Sequence, residues 1–288
     1  VIIPLPYWGS YSEMVNFAGG KSVFIPSKFE EGFAIDIEAM ERSINDKTRV
    51  ILFSSPNNPA GSSLSYDQLK QIADIVKKHP KITVISDEIY EHITFDGEHT
   101  TISQFDGISD QLIIVNGVSK GFAMTGWRIG YMVGPKELIS ACDKLQGQFT
   151  SGANSIAQWA AAEAISGDMK PTQNMLNTFR KRRDMMVELL SEIPSVETDT
   201  PKGAFYLFPK VSSFYGKEFG GRTINDSLDF CDYILNTALV SLVPGVAFGQ
   251  ALSHTTLFAK SIQYGGPNKR RNYRSKCICK PRNKVHPR

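Results

Sequence analysis

The stretch Val50–Ile85, VILFSSPNNPAGSSLSYDQLKQIADIVKKHPKITVI, decides the fold. Its two ends, Val50 to Phe53 and Ile82 to Ile85, are short apolar runs rich in β-branched residues, the pattern of buried strands. Between them Leu69, Ile72, Ala73 and Val76 recur at i, i+3, i+4 and i+7, which predicts a helix with one apolar face. Ser65 with Gln68 three residues later supplies a capping box for its start. Strand, helix, strand with the helix crossing one face is the unit of a parallel α/β sheet.

The pattern extends outward. Leu112 to Val115 and Tyr131 to Val133 are further candidate buried strands. Residues 153–165 are apolar almost all round, with Ile156, Ala157, Trp159, Ala160, Ala161 and Ala164, and predict a well-buried helix. A long helical segment over 172–193 is expected to connect two domains. Beyond it, Gly203 to Phe208, a helix near 224–237 and Val240 to Val243 suggest a smaller α+β domain. The expected organisation is a large α/β domain over 1–172, a small α+β domain over 173–265 and a basic tail over 266–288.

Composition fits a globular chain of 288 residues, 41% hydrophobic and 21% charged. No run of about 18 apolar residues is present to span a bilayer. The charge is uneven: residues 266–288 hold nine Lys and Arg and no Asp or Glu, leaving 23 basic against 29 acidic residues in 1–265. This tail has a single aromatic, Tyr273, and no helical stripe, so neither nucleic acid nor membrane is an expected partner. Cys142 and Cys231 stand alone and Cys277 and Cys279 are separated by one residue, a spacing that suits neither a disulfide framework nor structural zinc. Reduced thiols, no metal and a cytoplasmic location are expected.

GxGxxG, GxxxxGK[ST] and HExxH are all absent. Gly117-Val118-Ser119-Lys120-Gly121 does fit GxSxG, which would make Ser119 a hydrolase nucleophile with His254 as its partner. The glycine at Gly126 interrupts the helix that such an elbow requires. A richer constellation uses the same strand ends. Asn57 and Asn58 follow one strand, Asp87 and Tyr90 the next, and Ser119, Lys120 and Arg128 the third. In a parallel sheet these C-terminal ends share one edge, where ligands bind. An amine for a Schiff base, a carboxylate for a pyridinium, amide and hydroxyl donors for a phenolate and a guanidinium for a phosphate together describe a pyridoxal phosphate site. Singly, each residue also has a plainer role: a solvated lysine, an N-cap aspartate, a turn asparagine, a core tryptophan.

PNNPAG, SDEIYE, NGVSKGFAMTGWRIGY and GAFYLF, taken in this order, resemble the class I aminotransferases of the aspartate aminotransferase fold type, from Val1 to about Gly249. The PYW, SDEIYEH and KLQGQ runs are most similar to the bacterial and plant aspartate or prephenate branch. The resemblance implies a mainly parallel α/β large domain, a smaller α+β domain and a homodimer that transfers an amino group from an amino acid, of aspartate or glutamate type, to a 2-oxo acid. It implies that Lys120 is the Schiff-base lysine and proton carrier, and that Asp87 pairs with the pyridine nitrogen. By the same resemblance Tyr90 and Asn58 bond the ring oxygen, Arg128 holds the phosphate with Ser119 as a further candidate, and Trp8 stacks on the ring. A C–S lyase or synthase of the same fold could share Lys120, Asp87 and Arg128.

Two departures from the family qualify the expectation. The family has a segment before the equivalent of Val1 that carries part of the phosphate cradle. After Gly249 it continues to an R-[IL]-S-Y type motif that binds the substrate carboxylate, whereas this chain reads QALSH and enters the basic block. The expectation is a chain that leaves the family frame near Gln250, as after a frameshift, and is a fragment or an impaired relic able to bind the cofactor.

Overall fold

The computed structural model describes residues 1–249 and 257–258. A six-stranded sheet runs in the order β2-β1-β3-β4-β5-β6, with β1 Ile2–Pro4, β2 Val23–Ile25, β3 Val50–Ser54, β4 Thr83–Asp87, β5 Leu112–Gly117 and β6 Gly130–Val133. Strands β1 to β5 pair in parallel and β6 returns antiparallel to β5. The chain steps from β1 to β2 on one side and resumes with β3 on the other, so the order reverses beside β1. Such a reversal opens a crevice at the C-terminal strand ends.

Successive residues of a strand face opposite sides, and both sides of this sheet are apolar. Ile2, Ile51, Phe53 and Val84 join one core; Ile3 and Leu52 join the other. The first core is covered by α3 (Tyr66–Lys78), whose Leu69, Ile72, Ala73, Ile75 and Val76 are all buried. Ser65 and Gln68 form the expected capping box at its start. Each fully buried Leu or Ile contributes about 1.5–3 kcal/mol, so this face alone anchors the helix. The second core is closed by Tyr11 and Val15 of α1 (Ser10–Phe17), by Leu176 and Phe179 of α7 (Lys170–Ser191) and by Ala204 to Tyr206 and Phe208.

The stretch 201–208 is tied to the sheet's loops. Lys202 and Gly203 N–H both donate to Gly61 O at 2.9 Å, Ala204 N–H to Ile93 O at 2.8 Å, and Phe95 N–H to Lys202 O at 2.7 Å. Gly61 has φ +69°, and a Cβ there would lie 2.5 Å from Pro201 Cβ, so this crossing requires glycine. The buried Arg183 of α7 donates to Pro201 O at 3.1 Å and lies 4.7 Å from the Phe95 ring centroid. Farther on, β7 (Lys217–Phe219) and β8 (Arg222–Ile224) make a hairpin beside α8 (Ser227–Ala238), and β9 (Val243–Pro244) pairs with β10 (Leu257–Phe258).

Two expectations are corrected. Strand β6 is exposed along all four residues, and the helix over 153–165, α6 (Ser155–Ser166), buries only Ala157 and Ala161 while Ile156 is 71% and Trp159 79% exposed. Among the described residues the two alanines pack in a small cluster with Val118 of α4 (Val118–Gly121), Ile129, Phe122 and Met124, and the rest of the apolar face is left uncovered. Helix α5 (Lys136–Phe149) buries no residue at all. Among the described residues no helix is long and apolar enough to cross a membrane. Cys142 and Cys231 are free thiols, one half-buried and one buried. His254, Cys277, Cys279, the basic tail and most of the departure from the family frame lie outside the described residues.

Candidate active site

The strand register builds the site. Ser54 at the end of β3 pairs with Asp87 at the end of β4, and Asp87 pairs with Val115 of β5. The next residues along each chain path therefore leave the sheet side by side. Trp8, Asn58, Asp87, Tyr90, Ser119, Lys120 and Arg128 all line one cavity of about 370 Å³, joined by Tyr11, Ser54, Thr125 and Tyr206. A larger hollow of about 720 Å³ adjoins it and shares Arg128. That hollow is lined by Trp127, Gln146, Thr150 and Asn154 and has no titratable side chain besides Arg128, so it lacks a proton carrier.

The carboxylate at the cavity floor is strongly held. Asp87 Oδ2 accepts from Tyr11 Oη at 2.5 Å and Oδ1 from Ile89 N–H at 3.1 Å. The latter contact is a local turn bond, and a turn rather than a helix follows, so the N-cap alternative for Asp87 is not realised. Burial pushes its pKa above the ordinary carboxylate value, against the pull of Tyr11, the Ile89 amide and Lys120. Its hydrogen-bond donors, the Tyr11 phenol and the Ile89 amide, are neutral, and the charge of Lys120 acts on it from across the cavity. A buried anion in that state favours a cationic N–H in the cavity. Burial and the neighbouring Asp87 push the Tyr11 phenol well up, so it stays protonated and donating.

Tyr90 is buried, and its hydroxyl meets that of Tyr206 at 2.5 Å, a contact spanning 116 residues of chain. Burial raises both phenols' pKa values. Lys120 sits on the one-turn helix α4 after β5, half-buried, with Nζ 5.7 Å from the Phe205 ring centroid. Gly117 permits this placement, because a Cβ there would come within 2.8 Å of Ile129 O. Arg128 adopts φ +57°, donates to Thr125 O at 3.0 Å and keeps its guanidinium at the exposed rim. Trp8 is 41% exposed and meets Tyr11 edge-on at 5.5 Å. Asn57 anchors its loop by donating to Pro6 O at 3.0 Å and accepting from Ala60 N–H at 3.0 Å, which leaves Asn58 to face the cavity.

The sequence reading missed Tyr11 and Tyr206 as site residues. Tyr206 was visible inside GAFYLF, whereas Tyr11 carried no motif and is found only through its contact with Asp87. One further group of ligating types, Glu88, Glu91 and His99, converges within 4.8 Å. Its central Glu88 is already satisfied by Ser86, Thr101 and His99 at 2.9–3.0 Å, as a buried structural knot behind β4.

Comparison with known proteins agrees with this geometry. A bifunctional aspartate aminotransferase and glutamate/aspartate-prephenate aminotransferase of Petunia hybrida is 46% identical over 269 residues, covering 91% of this chain and 56% of its own length. A probable aspartate/prephenate aminotransferase of Rickettsia bellii is 47% identical over 253 residues, covering 86% of this chain and 63% of its own. The chain thus spans less than two thirds of the length of these relatives. The solved aspartate aminotransferase of Rhizobium meliloti superposes with a TM-score of 0.85 at 39% identity, over 90% of this chain and 65% of that one. The sequence model of the family described as aminotransferase class I and II matches residues 1–256, past Gly249 where the motif resemblance was expected to stop, and the chain belongs to that family.

Proposed function

We propose that this chain forms the cofactor-holding part of a pyridoxal-phosphate-dependent aminotransferase that moves an amino group from an amino acid of aspartate or glutamate type to a 2-oxo acid. The observation that carries this reading is the single cavity shared by Lys120, Asp87 and Tyr90, three groups from three parallel strand ends. Pyridoxal phosphate, when bound, supplies an aldehyde that condenses with amines and a ring that accepts electrons from the substrate α-carbon.

The residues fit that group. Asp87 is a buried carboxylate held by two neutral donors, and a protonated ring nitrogen would add a charged one. Tyr90 and Asn58 reach the same cavity and offer donors to a ring oxygen, Trp8 offers an aromatic face, and Arg128 with Ser119 offers donors to a phosphate. Lys120 Nζ would bind the aldehyde carbon, leave it to the incoming amino acid and then take the α-proton as general base.

A homodimer is part of the same reading. The apolar side chains Leu145, Phe149, Ile156 and Trp159 are each at least 60% exposed on α5 and α6, a density of apolar surface that supports a protein partner.

The test is to add pyridoxal phosphate to the purified chain, reduce with borohydride and map the labelled peptide. A pyridoxyl group on Lys120 alone is expected, and a folded protein with no specific label refutes the reading. Product analysis then separates chemistries. A keto acid formed only when a 2-oxo acid is supplied means transfer, while pyruvate and ammonia formed without one mean elimination by a lyase.

A further inference from the structure

The segment GAFYLF supplies no reacting group to the proposed chemistry, yet the fold delivers it to the cavity through strained and tightly packed backbone. Ala204 adopts φ +58°, a left-handed conformation that costs a non-glycine residue, and a Cβ on Gly203 would lie 2.5 Å from Pro56 Cγ. The backbone bonds to Gly61 and Ile93 fix this segment against the two loops that carry Asn58 and Tyr90. Phe205 then packs edge-on to Tyr90 at 5.5 Å and lies beneath Lys120, while the Tyr206 ring meets Tyr90 at 76° and 5.7 Å. The Tyr206 hydroxyl ends 2.5 Å from that of Tyr90, inside the cavity.

We infer that Tyr206 is a positioning residue, whose hydroxyl donates to Tyr90 and so sets how strongly Tyr90 donates to the cofactor ring oxygen. This rests on the functional reading above. Each phenol has one proton. When Tyr90 spends its proton on an acceptor in the cavity, the proton across the 2.5 Å contact must come from Tyr206, so the order of donation is forced. A hydroxyl that accepts one hydrogen bond becomes a better donor of the next, and the effect is larger away from water. Both phenols hold their protons because burial raises their pKa values, so the chain of donors is intact at neutral pH. Packing alone needs only the ring of Tyr206; the hydroxyl has this further use.

The test is a pH titration of the visible absorption of the pyridoxal-phosphate-loaded protein, in wild type, Tyr206→Phe, Tyr90→Phe and the double variant. Charge on the ring oxygen favours the deprotonated form of the bound chromophore when the donor to that oxygen is strong. Tyr206→Phe is therefore expected to move the midpoint upward by roughly 0.5 to 1 pH unit, the size of one neutral hydrogen bond expressed as proton affinity. In the Tyr90→Phe background the same change is expected to move it no further. An unshifted midpoint in Tyr206→Phe overturns the inference, as does an equal shift in both backgrounds, which would show action independent of Tyr90. Absence of cofactor absorption in the folded wild type overturns the functional reading itself, and the inference with it.

Discussion

The cavity side of the sheet and the α5–α6–β6 side obey different rules. In the first region the chain covers its own core and pairs its site hydroxyls: β1 is wholly buried, α3 buries five residues against the opposite face of the sheet, Tyr11 bonds Asp87, and the Tyr90 and Tyr206 hydroxyls meet. On the other side α5 buries nothing, α6 buries two alanines, and β6, with four exposed residues, is the last strand of the sheet among the described residues. The difference teaches that one region is covered by its own chain, while the other leaves apolar surface that the described residues do not cover.

The largest effect expected is at the cavity. Lys120→Ala should abolish borohydride-trapped labelling and lower transfer by at least about 10³-fold, since it removes both the nucleophile and the proton carrier. Retained labelling at another lysine would break the contrast by showing that the cavity is not the reactive centre. Next comes stability: Leu69→Ala, in the 1% exposed core position of α3, should cost about 2–5 kcal/mol in urea unfolding.

Asp87→Asn gives a smaller effect with a definite pH sign. Because burial raises the native pKa of Asp87, the folded state binds its proton more tightly than the unfolded chain. The contribution to stability is therefore fully present below the unfolded carboxylate pKa and is lost as pH rises through the raised native value. The cofactor-free Asn variant should accordingly be more stable than wild type at neutral pH, with the gap closing as the solution is acidified, while its affinity for pyridoxal phosphate falls. Equal stability across that range would mean that Tyr11 and the Ile89 amide fully offset burial.

The smallest expected change in folding stability is on the opposite side. Trp159→Glu, at a site 79% exposed, should alter the unfolding free energy of the isolated chain by no more than about 0.5 kcal/mol. In sedimentation equilibrium the same variant should weaken self-association, and a loss of several kcal/mol in the monomer would place Trp159 in a core instead.

Much of the site was legible because its members stand at fixed short distances from strand ends. Asn58 follows β3 by four residues, Asp87 terminates β4, and Lys120 follows β5 by three. All seven sequence-derived residues meet in one cavity. Burial was less legible. The apolar run over 153–165 correctly predicts a helix, but composition records a tendency to be covered and not the surface that does the covering.

The sequence by itself determined the parallel α/β unit, the capped helix α3 and the set of chemical groups at the strand ends. These follow from periodicity and from side-chain bonds within a few residues, which local order alone specifies. Only the tertiary structure decided that Tyr11 holds Asp87 across 76 residues, that Tyr206 holds Tyr90 across 116, and that α6 lies open. Those outcomes depend on which distant segments share a face of the sheet, and that is set by the packing of the whole chain.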